Sequence, residues 1–430
     1  MDVDAELMDY CAQEDVLLDN ALLPFDVAAS LAHVHGLQKI GILDENEAMT
    51  LDDAIKELHA EARDGRFTTT PADEDGHAAI ERELTQRVGD VGKKVHTGRS
   101  RNDQVLVASR LWLRDRLLRL SKIVQEGARV ALVRAEQTRD VVMPGYTHIQ
   151  RAVPSTAGFW FAGHAESLLE DAAALLDAHA LLDRSPLGTA AGYGVNLDLA
   201  RDDCAKDLGF SRLQLNGIAA QNSRGKLEAH VVGCLLLPMN TARRVAWDVS
   251  LFSTAEFALV RQPSRWTTGS SIMPNKRNPD VAELLRAAFA EIQGAHVELF
   301  SLLGLPSGYQ RDLQRTKKPL MRAVNASMAS LSLLPRFLQE LEFDEENCKK
   351  TMDANMLATD KAVKLAVDGV PFRESYRRIK EEGADPSLDV KQAAQTSIEE
   401  RISIGAPGAL GLERLQEELA LLQKRMPSSS

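Results

Sequence analysis

Apolar residues recur at helical spacing through most of this chain. From Gln104 to Asp140 there is no proline and one glycine, Gly127, and Leu106, Leu113, Leu117, Leu120 and Val124 fall on one face. That spacing predicts a helix of about 30 residues. Further long helices are predicted over Ser155 to Asp183, over Gly225 to Val260 with Pro238 as a kink, and from Asp280 onward. In the last, Val281, Leu285, Ala288, Ile292, Ala295, Leu299 and Leu302 alternate spacings of four and three, an apolar seam in which the alanines allow close helix approach.

Shorter helices flank this middle part. The first ninety residues read as short helices punctuated by Pro24, Gly36, Gly41, Gly65 and Pro71, with one helix over His77 to Val88. After Pro335 the pattern shortens again, to helices near Asp344–Met356, Thr359–Asp368, Pro371–Glu382 and Ser387–Ile402, and Ser428–Ser430 reads as a disordered end. The expectation is an all-α fold in three helical domains: residues 1–96, a central long-helix bundle over 97–342, and a small C-terminal part over 343–430.

Composition narrows the function. The chain has 51 Lys+Arg against 62 Asp+Glu, a formal charge of −11, so a broad footprint for nucleic acid is not expected. Cys11, Cys204, Cys234 and Cys348 show no CxxC spacing, which argues against a zinc ribbon or a disulfide scaffold. No apolar run approaches the roughly 18 residues of a membrane span, and the acidic first fifteen residues do not read as a signal peptide. A cytoplasmic address is the default expectation.

The chemistry-bearing residues lie in segments that interrupt the helices, read as loops. They are His96–Gln104, Met143–Arg151, Ser185–Gly194 and Thr268–Pro279. The last holds Gly269, Ser270, Ser271, Pro274, Lys276, Arg277, Asn278 and Pro279: donors and positive charge for a carboxylate, in a loop able to move as a lid. From the residues alone the solvated basic turn is the favoured reading, and the others likewise read first as surface turns. Gly188–Gly194 fits neither a Walker loop nor a dinucleotide fingerprint, and His33-Val-His35 has no evident third metal ligand.

Longer motifs decide between these readings. Gly269-Ser-Ser-Ile-Met-Pro-Asn-Lys-Arg-Asn-Pro279 resembles the GSSxMPxKxNP signature of the fumarase/aspartase lyase superfamily. His96–Val105 (HTGRSRNDQV), Pro144–Arg151 (PGYTHIQR), Gly304–Gln314, Met356–Asp360 and Gly369–Arg373 resemble the argininosuccinate lyase family, in family order. The resemblance implies β-elimination of argininosuccinate to arginine and fumarate, without metal or organic cofactor, in a homotetramer with a twenty-helix core and active sites shared between subunits. It implies Ser270 as base, His148 as acid or proton relay oriented by Glu283, and Lys276 as stabiliser of the Ser270 alkoxide. Substrate contacts carry over to Ser30, Arg101, Asn102, Thr147, Asn278, Tyr309, Gln314 and Lys317.

Some stretches depart from the family pattern. Ala29 stands where the family has glycine, and Gly188–Asn196 and Gln214–Glu228 match poorly apart from Leu215, Asn216 and Arg224. Another fumarate-releasing lyase, such as adenylosuccinate lyase, is the alternative, with a crystallin-like inactive relative a remoter one. The segments expected to meet the three carboxylates are locally basic: Lys93, Lys94, Arg99 and Arg101, then Lys276 and Arg277, then Lys317 and Lys318.

Overall fold

The computed structural model describes residues 10, 14–70, 73–385 and 387–427, so the Ser428–Ser430 end falls outside it. Twelve helices of ten or more residues occur among the described residues. They are α1 Leu23–Lys39, α2 Glu45–Arg63, α3 Gly76–Val88, α4 Arg101–Gln137, α5 Ala157–Leu182 and α6 Lys226–Phe252, then α7 Asp280–Ser301, α8 Lys317–Glu340, α9 Ala358–Val367, α10 Phe372–Glu382, α11 Val390–Glu399 and α12 Leu412–Arg425. Strands are few and form three antiparallel pairs: β1 Val142–Thr147 with β2 Gln150–Thr156, β3 Val260–Arg261 with β6 Glu342–Phe343, and β4 Thr268–Gly269 with β5 Arg277–Asn278. The fold is all-α, and no helix among the described residues is long and apolar enough to cross a membrane.

Several elements differ from those predicted. The helix α8 passes through Pro335, after which the sequence pattern predicts only shorter helices; Leu331, Leu334, Phe337 and Leu338 are all buried on its face, and that burial outweighs one lost hydrogen bond. Along α6 the chain likewise continues through Pro238, but the helix ends at Phe252, because the chain must turn before Val260 pairs with Phe343. The amphipathic helix α12, with Leu412, Leu415, Leu419 and Leu422 buried, was not anticipated.

Compactness divides the chain into two units, with boundaries inside α4 to α8. The first comprises Met1–Arg119, Ala174–Leu236 and Ala290–Ser327. Its core joins Leu23, Val27, Val34 and Leu37 of α1 to Leu51, Ile55 and Leu58 of α2 and to Ile80 and Leu84 of α3. Asp44 and Glu47 form a reciprocal capping box at the start of α2, and Asp75 caps α3 through the Ala78 N–H at 2.8 Å. After α3 the backbone returns so closely that a Cβ on Gly92 would lie 2.6 Å from the Leu84 carbonyl carbon, which fixes the approach to the Arg99–Asn102 turn.

The second unit comprises Leu120–Ala173, Leu237–Phe289 and Met328–Ser430. Here α4 and α5 lie close, with Leu168 in contact distance of Gly127, and the β1–β2 hairpin connects them. Trp160 donates to Asp248 at 2.8 Å and stands edge-on to Phe161, His164 and Phe343. Near the C-terminus Val142 joins Met352, Met356, Ala394 and Ile398 in a small core.

One carboxyl in this unit is buried without a cation. Asp171 on α5 is 6% exposed and accepts a 2.6 Å hydrogen bond from the Thr241 hydroxyl. Burial pushes its pKa from 3.8 up to about 7, against the opposing effect of Thr241. A raised acid pKa in the folded chain stabilises at low pH, and that contribution is lost as pH rises from 3.8 to about 7. Asp171→Asn, which fixes the neutral form, should match the wild type near pH 4 and show a higher urea midpoint at about pH 8. A lower midpoint at the higher pH would contradict an uncompensated carboxylate.

Candidate active site

The expected contacts fall into two groups, one in each unit. In the first unit a cleft of about 200 Å³ brings together Arg101, Asn102, Tyr309, Gln314 and Lys317. Arg101 and Asn102 open α4, whereas Lys317 opens α8 after the short turn Arg311–Thr316. Ser30 is not on the cleft's lining; it is fully buried on α1, and its hydroxyl accepts from the Arg99 guanidinium at 3.0 Å.

The cleft also contains groups the sequence reading did not assign. His77 stands in it, one residue into α3, and its Nδ1 contacts the buried Asp26 carboxylate. Burial opposes protonation of His77, but the Asp26 charge and hydrogen bond, with Asp75 and Asp19 behind them, outweigh it and raise its pKa. Arg224, noted from sequence only as fitting the family pattern, lies with its guanidinium 5.6 Å from the Tyr309 ring centroid. The only sequence signal for His77 was its place at the start of the predicted His77–Val88 helix, directly after the acidic stretch Asp73-Glu-Asp-Gly76.

The expectation of a locally basic site needs correction for this cleft. Lys317 is buried between Asp15 at 2.7 Å and Asp19 at 2.5 Å, and Arg101 pairs with Glu74 at 2.7 Å and Asp75 at 3.3 Å. Lys93 is paired with Asp90, Lys94 with Glu47 and Lys318 with Glu14. Four carboxylates and four permanent cations line the cleft, because each cation brought near it needs a counter-charge. Desolvation raises the pKa of Asp15, against the pull of Lys317. Such a surface suits a ligand carrying both carboxylates and cationic groups.

The departing segments are structural anchors of this unit. Asp103, buried at the start of α4, accepts from the Gly188 N–H at 3.0 Å and the Ala190 N–H at 2.9 Å. Gln221 donates to the Ala190 carbonyl at 3.2 Å. The HxH pair is accounted for by protein partners: His33 Nε2 lies 2.8 Å from the Thr97 carbonyl, and His35 sits between Asp52 and Asp207. Burial, with Arg99 nearby, pushes the His33 pKa down to about 3.

In the second unit Thr147, His148, Ser270, Lys276, Asn278 and Glu283 lie on or beside hairpins. The Met143–Arg151 segment, read as a loop, is the tight end of β1–β2: Thr147 pairs with Gln150, and His148 and Ile149 form the two-residue turn. Proline and glycine in this stretch masked its strand character, and a register shift near Gly145 accommodates them. The turn holds both residues at positive φ, 54° and 59°, and exposes Thr147 and His148 at its tip.

Ser270 opens the seven-residue loop between β4 and β5, whose base is tied by Thr268 to Asp280. Its Oγ accepts from the Met273 N–H at 3.0 Å and the Ile272 N–H at 3.3 Å. Two backbone donors aimed at one hydroxyl oxygen are suited to hold negative charge there. Asn278 reaches back to the Gly269 carbonyl at 3.5 Å, and the Lys276 side chain is exposed. Glu283, one turn into α7, lies 3.6 Å from Arg286; among the described residues it makes no hydrogen bond or ion pair with His148.

The strained turn yields a prediction. A β-branched residue at positive φ costs roughly 1–3 kcal/mol. Ile149→Gly should therefore raise the urea-derived stability by about 1 kcal/mol after the entropy cost of glycine. A loss of stability would show that the exposed Ile149 side chain contributes more than its backbone strain.

Comparisons with known proteins identify the family. A family profile described as a lyase matches residues 10–294. The argininosuccinate lyase of Sorangium cellulosum (strain So ce56) is 49% identical over 417 residues, covering 97% of this chain and 96% of that protein. That of Stenotrophomonas maltophilia (strain K279a) is 49% identical over 414 residues, with 96% of each covered. Among solved structures, an EDDS lyase variant with bound fumarate superposes with a TM-score of 0.82 at 24% identity, over 98% of this chain and 91% of that one. Class II fumarase from Schistosoma mansoni gives 0.72 at 17% identity, over 97% and 92%. Those two share the fold; the near-full-length identity goes further, and the chain belongs to the argininosuccinate lyase family.

Proposed function

We propose that this chain is a carbon–nitrogen lyase that splits argininosuccinate into arginine and fumarate, in arginine biosynthesis. The observation that carries this reading is the 49% identity to argininosuccinate lyases over nearly the whole chain. The cleft of paired charges supports it, since argininosuccinate carries three carboxylates together with a guanidinium and an amino group.

The elimination needs a base for the weakly acidic proton beside a carboxylate, and an acid for the departing guanidinium nitrogen. Ser270 is assigned as the base. The Ile272 and Met273 N–H groups on its Oγ support this, because they would hold the alkoxide, with Lys276 adding positive charge. His148 is assigned as the acid or relay. Loss of the proton beside the carboxylate leaves that carboxylate doubly negative, which calls for donors that Asn278 and Thr147 would contribute. Arg101, Asn102, Tyr309, Gln314 and Lys317 would bind substrate in the charged cleft, whereas Ser30 would act through Arg99.

The enzyme is further proposed to be a cytoplasmic homotetramer with sites shared between copies. Supporting this, α6 exposes Leu237 and Trp247 and the start of α7 exposes Leu284, while Val297 and Phe300 lie exposed further along α7. Large apolar side chains concentrated on long helices mark a surface for association. Glu283, lacking any bond to His148 within the chain, would meet it across such an interface.

Ser270→Ala and His148→Asn should each lower turnover by ~10²–10⁴ with the fold intact. The assay is fumarate release, read by ultraviolet absorbance, with argininosuccinate and adenylosuccinate offered in parallel. Release from argininosuccinate is expected. Cleavage of adenylosuccinate alone would overturn the substrate assignment, and near-normal turnover in Ser270→Ala would overturn the base.

A further inference from the structure

The second unit holds another cavity, of about 310 Å³, which the elimination does not use. It lies between α9 and α10 and the short turn Ala354–Leu357 before them. Its origin is legible in the side chains. The helix α10 is strongly amphipathic: Glu374 pairs with Arg377 and Arg378, and Phe372, Tyr376 and Ile379 form a stripe at helical spacing. Facing that stripe, α9 contributes only Ala358 and Ala362 as apolar groups, so two aromatic rings meet two methyl groups and a gap is left. Ile379 and Ala362 are buried, whereas Phe372 and Tyr376 are 53% and 60% exposed.

The charge around this gap is one-sided. Lys361 from α9 and Lys380 from α10 line it, and its lining contains no Asp or Glu. Among the described residues neither lysine makes a hydrogen bond or ion pair, in contrast to the paired cations of the first unit. Lys361 acts electrostatically on Asp385, which lies outside the lining and whose Oδ1 accepts from the Ser387 N–H at 2.9 Å and hydroxyl at 2.7 Å. Tyr376, Thr359 and Asn355 add polar groups at the wall.

We propose that this cleft is a binding site for a small aromatic anion, one planar ring system carrying a single carboxylate or sulfonate. The ring would lie against Phe372 and Tyr376 over the Ile379–Ala362 floor, and the acid group would meet the two ammonium groups. The volume sits at the small end of ligand pockets, roughly 300–1,000 Å³, which limits the occupant to about that size. Argininosuccinate fits it less well than a ligand bearing only an acid group, because its guanidinium and amino group would find two lysines and no carboxylate. The cleft shares no lining residue with the charged cleft of the first unit or with the two hairpins, and the proposal does not depend on the lyase assignment.

Anilinonaphthalene sulfonate is the probe, titrated by fluorescence into the full-length protein. Phenylpropionate should displace it, and phenylpropionamide, which has the same ring without the charge, should not. Lys361→Glu combined with Lys380→Glu should weaken probe binding at least ~10-fold, a change of about 1.4 kcal/mol. Ala358→Trp, which fills the gap from a half-buried position, should abolish the displaceable fraction. Urea midpoints equal to that of the unsubstituted protein report that both variants are folded. Equal displacement by acid and amide overturns the charge requirement, and unchanged binding in both variants overturns the site.

Discussion

A buried ammonium group must have a counter-charge, and the cleft of the first unit is arranged around that requirement. Removing a lysine from water costs several kcal/mol unless a carboxylate replaces the lost solvation. Lys317 meets it with Asp15 and Asp19, and Asp19 also accepts from the Gly76 N–H at the start of α3 at 2.9 Å. One carboxylate thereby ties the first residues of α8 to the first residues of α3. Beside it, His77 is held by Asp26 and Arg101 by Glu74 and Asp75. The result is a cleft whose charges are paired before any ligand arrives, with both signs presented together.

The second unit treats its reactive groups differently. His148 sits on a turn of two residues at positive φ, and Ser270 on a loop that folds back on its own oxygen. Both are held by short-range backbone geometry rather than by partner side chains, and Glu283 remains with Arg286. A proton relay needs an oriented donor, and among the described residues of one chain no side chain bonds to His148 to orient it. This is the reason for proposing that association of copies completes the site.

Much of this was legible in the sequence, and what was not has a common cause. The four long helices from Gln104 onward announced themselves through apolar periodicity, and the Gly269–Pro279 signature through residue order. Both are local signals. The helix α8 was hidden by Pro335, because a proline rule weighs one hydrogen bond and cannot weigh a buried face. The β1–β2 hairpin was hidden by Pro144, Gly145 and Pro154, which a strand carries only beside an irregular register. Charge counting along Lys93 to Arg101 suggested a basic site, yet the carboxylates that pair with Arg101 and Lys317 lie some 26 to 302 positions away in sequence (101 − 75 and 317 − 15). Ion pairs of that separation leave no trace in local composition.

In the proposed tetramer, catalytic groups from different copies of the chain make one site. Mixing Ser270→Ala and His148→Asn proteins, dissociating and reassociating them together, and measuring fumarate release tests this. If Ser270 and His148 of one site come from different copies, random assembly restores both native groups in some sites, and about a quarter of wild-type activity should return. If one copy supplies both residues, every site in the mixture lacks one of them. Activity no greater than that of the two variants alone would contradict the account.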